Sequence, residues 1–327
     1  MANLKQVKPV AIPLALGVVL FLVPLFIASQ FYLHLLIWMF LLVVLSSGLR
    51  TLFTAGQISF AHAGFMAIGA YVSALLVMKL GFSVWAAMPL AGVAAALVSL
   101  LVGYPTLRIK GVYFFMASFS FGVIVILVVS SYWQDLLGGY SGIVSIPRPN
   151  SITIPGFPAI DFVGKIPFYY LALFITLICL LVFYRLDRSR IGMTWRAIKE
   201  ADGLAETSGI NIMNYKVLAF AVACFFAGIA GSFLAHYFRA IGPETFSFDL
   251  SVSMVVFMLV GGAASIYGPV LGVFVFTILA EVFKSFGGVG WEPLLYGLAL
   301  MVFISFLPEG LIALPHYVNS WVARARR

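Results

Sequence analysis

Stretches of about twenty apolar residues recur along this chain with scarcely a charge inside them, and that pattern chooses its solvent. A helix needs about 20 such residues to cross a hydrocarbon layer roughly 30 Å thick with every backbone group bonded inside its own segment. Of 327 residues, 63% are hydrophobic and 9% charged. Soluble domains carry about 25% charged residues, so this chain has no means of building a water-facing surface. A transmembrane barrel would show alternating segments of about ten residues, which the unbroken runs exclude. The fold class is an all-α polytopic membrane protein, and its expected work is to move a small solute across the bilayer.

Ten spans are expected, at 10–29, 31–49, 62–79, 85–104, 112–132, 168–184, 216–237, 250–266, 268–286 and 293–313. Lys5 and Lys8 before the first run imitate a signal peptide, but Pro13 and Pro24 lie within it and no small-residue cleavage site follows. It is read as a retained span. With the N-terminus in the cytoplasm, only Lys79, Arg148, Lys165, Arg239 and Lys284 of the 19 basic residues lie outside. That is the bias that orients membrane proteins. Both termini and the charged loop 185–215 then face the cytoplasm. The Pro- and Gly-rich loop 133–167 faces out, too long for a simple connector and read as an ordered cap or a partner contact. The net charge of +8 is an orientation signal, and no nucleic-acid partner is needed. Chain 1–327 reads as one transmembrane domain.

Cys179 and Cys224 sit in apolar runs without metal spacing and read as core residues. No metal or cofactor is implied. Glu281 and Lys284 are spaced to pair on one helix face. Gly56-Gln57-Ile58-Ser59-Phe60-Ala61 follows the second span and Glu244-Thr245-Phe246-Ser247-Phe248-Asp249 the seventh. Those spans run in opposite directions, so an inverted repeat would set the two segments on opposite faces of one site.

In the cytoplasmic loop, Thr194 offers a helix cap. Trp195, Ile198 and Ala201 or Ala205 recur at helical spacing, and Gly209 offers a stop. Such an amphipathic helix either rests on headgroups or docks into a groove on a soluble partner.

These residues resemble a known family. Gly192, Arg196-Ala197-Ile198-Lys199-Glu200, Ala205, Gly209-Ile210-Asn211 and Lys216 are similar to the coupling region of permease subunits of branched-chain amino acid ABC importers. Ala55-Gly56-Gln57-Ile58-Ser59-Phe60-Ala61-His62-Ala63-Gly64-Phe65, running on to Ile68-Gly69-Ala70-Tyr71, resembles a second family segment. Gly138-Gly139-Tyr140-Ser141-Gly142-Ile143 with Ile146-Pro147-Arg148-Pro149 resembles its outer loop. Pro243-Glu244-Thr245-Phe246-Ser247-Phe248, Gly261-Gly262 and Gly268-Pro269-Val270-Leu271-Gly272 resemble its C-terminal half. The likeness runs from about residue 45 to 315 in family order. It implies a bacterial inner-membrane permease that pairs with a second, similar permease, two cytoplasmic ATPases and a periplasmic binding protein. No Gly-x-x-x-x-Gly-Lys-Ser/Thr loop is present, so phosphates are not cradled by this chain.

On that reading Trp195, Arg196, Ala197, Ile198, Lys199, Glu200 and Gly209 couple to the ATPases. Gly138, Gly139, Tyr140 and Glu244 are candidates for touching the binding protein, Glu244 also serving to cap a helix. Gln57, Ser59 and His62 form the densest polar cluster between spans. They either line the substrate path or satisfy backbone at a helix break, with His62 a hydrogen-bonded packing residue. Arg50 either attracts a substrate carboxylate or, the favoured reading, ends the second span and snorkels to the headgroups. Ser253 stands where the family commonly has Glu, Leu49 where it has Asn and Ala61 where it has Gly, departures that bear on specificity. Two rival functions are weighed. A stand-alone secondary transporter should carry ion-coupling carboxylates inside its spans, and only Glu281 comes near. An intramembrane serine hydrolase would need Ser265 with His62 or His236 as base.

Overall fold

The computed structural model describes residues 11–26, 29–109, 111–151, 160–287 and 310–313, with the single positions 294, 297, 298 and 301. Among them the chain is helical almost throughout. The first five helices are α1 (Ala11–Phe26), α2 (Gln30–Thr54), α3 (His62–Leu80), α4 (Val84–Thr106) and α5 (Val112–Ser131). A short α6 (Gln134–Leu137) lies in the outer loop, and α7 (Lys165–Arg188) returns across the layer. Two small helices follow, α8 (Arg190–Glu200) and α9 (Asp202–Thr207). The chain then continues through α10 (Ile212–Phe238), α11 (Phe248–Gly261) and α12 (Tyr267–Gly287).

Eight segments are long and apolar enough to cross a membrane, the seventh being Pro243–Gly261, which joins a 3-10 turn to α11, and they coincide in order with the second to ninth expected spans. The ends follow local chemistry. The Ser83 hydroxyl accepts from Ala86 N and caps α4, Asn211 caps α10 through Asn214 N, and Gly81 in the left-handed region ends α3. The largest difference is at α2, which runs on to Thr54 where a stop at 49 is expected. Nothing in Ser46–Thr54 breaks a helix, and Arg50 is held inside the bundle. The first expected span is seen as α1, only 16 residues long with Pro24 inside it. The tenth expected span, 293–313, falls mostly outside the described residues.

The core is built on α2 and α10. From Met39 to Leu52 every residue of α2 is buried. α10 crosses α3 with backbones in contact: a Cβ on Gly69 would overlap Gly228, and one on Gly231 would overlap the Met66 carbonyl. Close approach through small residues replaces the hydrophobic drive that lipid does not supply. Cys179 and Cys224 are free and buried, as expected. Lys284 and Glu281 pair at 3.5 Å.

The outer loop is ordered where described. Gly138, Gly139 and Gly142 all have positive φ, which lets the chain fold sharply into β1 (Ile143–Val144). That strand pairs antiparallel with β2 (Ala240–Ile241), Ile143 opposite Ile241 and Val144 opposite Ala240. The loop before α7 is thereby stitched to the connection after α10.

Candidate functional site

Two places gather the residues singled out in the sequence. The first is the break between α2 and α3. Gly56 turns it with a φ of +82°. Backbone donors freed there must be satisfied by protein: Phe60 N donates to Ser118 Oγ at 3.1 Å and Ala61 N to Ser59 Oγ at 3.1 Å. Gln57, also buried, extends Nε2 toward the Ile109 carbonyl at 3.5 Å. Ser59 therefore has the geometry of a helix-break cap. His62 is buried against the Phe220 ring, and neither of its ring nitrogens has a hydrogen-bond partner. The expectation of a hydrogen-bonded packing histidine is corrected on that point.

The segment after α10 meets this break. The Phe60 and Phe248 rings stack at 5.9 Å, flanked by Phe115 at 4.5 Å from Phe60 and Phe119 at 4.7 Å from Phe248. Gly64, Gly122, Ser247 and Ser251 line the cleft beside them, which holds about 10 Å³, about one water at most. α11 has 14 residues and rises about 21 Å, less than a bilayer core. Phe119 of α5 packs against its start. The two Ser-Phe segments noted in the sequence thus come together, and the cleft between them is shut.

The second place is the corner where α7 meets α8. α8 begins one turn earlier than expected, capped by Ser189 accepting from Gly192 N at 3.4 Å. Thr194, the expected cap, donates to the Arg190 carbonyl at 3.0 Å within the helix. The expected single helix is two, since Ala201 at φ −155° breaks it. Gly209, at φ +80°, ends the pair as expected. Trp195 and Ile198 are buried in this chain, and Trp195 Nε1 donates to the Tyr215 carbonyl at 2.8 Å. As contacts for a partner those two are corrected, because their face is spent on α10. The outward face carries Met193, Arg196, Ala197, Glu200 and Leu204. Lys199 Nζ lies 3.5 Å from the Phe53 ring centroid, and desolvation, followed by the Arg50 charge, lowers its pKa below the usual lysine value. A cavity of about 190 Å³ is lined by Gly56 and Gln57 and by Ile198, Lys199 and Glu200 at the end of α8.

Arg50 is only 2% exposed. Its Nε donates to the Ala263 carbonyl at 3.2 Å, and one terminal nitrogen donates to Ala264 O at 3.1 Å and to Asp187 at 3.4 Å. Snorkelling to headgroups is thereby corrected: α2 continues past Arg50 and the guanidinium turns into the bundle. Asp187 also accepts from Arg196 at 3.0 Å. Sequence reasoning missed Asp187. A charge inside a span demands a counter-ion, and the carboxylates of the loop on the same side were where to look.

The remaining candidates lie apart. Ser253 donates to Asp249 O at 2.7 Å within α11. Tyr140 is 72% exposed and Glu244 is exposed. Glu244 does not cap α11, which begins after Ser247 without a side-chain cap bond. His236 donates Nδ1–H to the Pro147 carbonyl at 2.7 Å, the only role that acceptor allows, so Nε2 accepts from Ser73 Oγ at 2.9 Å. Ser232 Oγ in turn donates to Ser73 Oγ at 2.7 Å.

Residues 31–305 match the family model described as the permease component of branched-chain amino acid transport systems. The high-affinity branched-chain amino acid permease protein LivM of Escherichia coli K12 is 29% identical over 289 residues, 83% of this chain and 67% of that one. A probable branched-chain amino acid permease protein LivH of Methanocaldococcus jannaschii is 26% identical, covering 82% of this chain and 86% of its own. The guanosine ABC transporter permease protein NupQ of Bacillus subtilis is 25% identical over 55% of this chain and 59% of that one. No solved structure matches.

Proposed function

We propose, for a chain that belongs to the permease-component family of branched-chain amino acid transport systems, that it forms part of the translocation path of a binding-protein-dependent ABC importer. A permease component is a transport subunit without a catalytic centre. We assign ATP hydrolysis to two partner chains gripping α8 and α9, substrate delivery to a periplasmic binding protein touching the surface around Gly138, Tyr140 and Glu244, and the other side of the path to a second permease. The chain acts as one transmembrane domain in the bacterial inner membrane. Its substrates are branched-chain amino acids or related small carboxylates and amides.

One observation carries the docking assignment. α8 buries Trp195 and Ile198 on its own bundle yet leaves Met193 56% exposed, with Leu204 of α9 72% exposed nearby in sequence. We read these two exposed apolar side chains, with Arg196 and Glu200 exposed between them in sequence, as parts of one interaction surface. The path is assigned to the cleft beside Phe60 and Phe248, where two helix starts from opposite halves meet as in transporters with inverted repeats. Among the described residues no carboxylate is buried, which favours external ATP over ion coupling. Ser265 Oγ accepts from Tyr267 N at 3.3 Å and His236 uses both nitrogens elsewhere, which disfavours the hydrolase. The test is disulfide cross-linking of Met193→Cys to cysteine-bearing ATPase subunits in membranes. A cross-link is expected, and a lone chain transporting at full rate contradicts the assignment.

A further inference from the structure

We infer that Asp187 is the positioning residue that carries motion of the docking helix into the transmembrane bundle, an inference that rests on the docking assignment above. Its carboxylate is shared by two cations from different elements. Arg50 of α2 is 2% exposed and Arg196 of α8 is 45% exposed, both at the Asp187 carboxylate, at 3.4 and 3.0 Å. The bridge therefore runs from the cytoplasmic surface into the protein in two steps.

The backbone around it is stiff on one side. Asp187 lies in the last turn of α7, and only Ser189 separates that helix from α8. A Cβ on Gly192 would overlap the carbonyls of Leu186 and Asp187, so the corner is packed backbone to backbone. The Ser189 hydroxyl donates to Leu186 O at 2.6 Å and accepts from Gly192 N at 3.4 Å. A displacement of α8 cannot be absorbed there and moves Asp187 with it.

On its other side Asp187 meets a cation with other obligations. The Arg50 guanidinium also holds the Ala263 and Ala264 carbonyls at 3.2 and 3.1 Å, in the turn joining α11 to α12. Leaving a buried guanidinium without its carboxylate is strongly unfavourable. Arg50 must follow Asp187 or reorganise, and either response shifts α2 against the α11–α12 turn. α2 leads into the Gly56–Ala61 break and α11 starts at Phe248, so both sides of the shut Phe60–Phe248 contact hang from this bridge. Three elements far apart in sequence change together when one surface helix is pushed.

The experiment uses the reconstituted complex of permeases, ATPases and leucine-loaded binding protein. Asp187→Asn is expected to lower the ratio of binding-protein-stimulated to basal ATP hydrolysis about fivefold or more. The Met193→Cys cross-link to the ATPase is expected to persist in it, and Asp187→Glu to restore most of the ratio. A merely structural role would lower assembly and leave the ratio of the assembled fraction unchanged, which overturns the inference. If Asp187→Asn does not assemble, Arg196→Gln keeps the buried pair; it should lower the ratio by a smaller factor, and an unchanged ratio there also overturns it. Absence of the cross-link in the complex with Asp187 intact removes the docking assignment itself, a different failure.

Discussion

The two ends of the bundle are fastened differently. At the end that carries α8, assigned to the cytoplasm, α2, α7, α8 and the α11–α12 turn are joined by charge, through Arg50, Asp187 and Arg196. At the opposite end α3, α10 and the loop before α7 are joined without an ion pair among the described residues, by hydrogen bonds from Ser232 through Ser73 and His236 to Pro147 and from Arg239 Nε to the Ile146 carbonyl, beside a two-stranded backbone pairing. The serine–histidine network there is closed, with every donor matched to an acceptor. The cytoplasmic one divides a single carboxylate between a buried and an exposed cation, so its exposed limb can be exchanged for a partner while its buried limb cannot. A moving end and a fixed end follow from that chemistry.

Breaking the comparison at its strongest point gives the largest expected effect. Arg50→Met removes the charge-assisted hydrogen bonds to the Ala263 and Ala264 carbonyls and to Asp187, which keeps Arg196, and should cost about 1.5–3 kcal/mol of unfolding free energy for each bond lost, in mixed micelles. His236→Leu strands Pro147 O and the serine pair, with an expected loss of about 1–3 kcal/mol per buried group. If the outer end is fixed, the stimulated-to-basal ATPase ratio survives this change in the protein that remains folded. His62→Leu is the control: its ring nitrogens have no partner, so an apolar replacement should leave stability unchanged or raised. A loss equal to that of His236→Leu would show that the two histidines are not distinguished by their bonding.

Smaller effects sharpen the picture. Phe60→Ala removes two ring contacts of about 0.5–1.5 kcal/mol each and opens the shut cleft, so passive leak of leucine into liposomes should increase. The least is a pH slope at Lys199. Because its folded pKa is lowered, mainly by desolvation, the folded chain binds fewer protons than the unfolded one between that value and the ordinary 10.5. Stability contributed by this site therefore rises with pH through that window and is flat below it. Subtracting the unfolding curve of Lys199→Gln over alkaline pH isolates the slope.

Much of this was legible in the sequence because it is local. Apolar run length marked the eight spans, Gly81 and Gly209 marked helix ends, and the spacing of Trp195, Ile198 and Ala205 marked one face of a surface helix. What that face meets is not local: Trp195 reaches Tyr215, and the same periodicity describes a helix docked on a partner or on its own bundle. Arg50 and Asp187 are 137 residues apart, and no periodicity connects them. Ser189 rather than Thr194 caps α8 because the chain turns at the end of α7, which capping preference alone does not reveal. The two Ser-Phe segments were visible as a repeat; that their phenylalanines stack depends on the packing of α3, α5 and α11.

The central claim is that the charged end moves while the outer end holds. Spin labels at Met193 and Tyr104, both exposed, Tyr104 near the end of α4, and in a second sample at Tyr140 and Glu244, allow distances to be read by pulsed electron resonance in the assembled transporter. The account predicts that ATP and loaded binding protein change the Met193–Tyr104 distance and leave the Tyr140–Glu244 distance as it was. A change confined to the outer pair, with the cytoplasmic pair still, would contradict it.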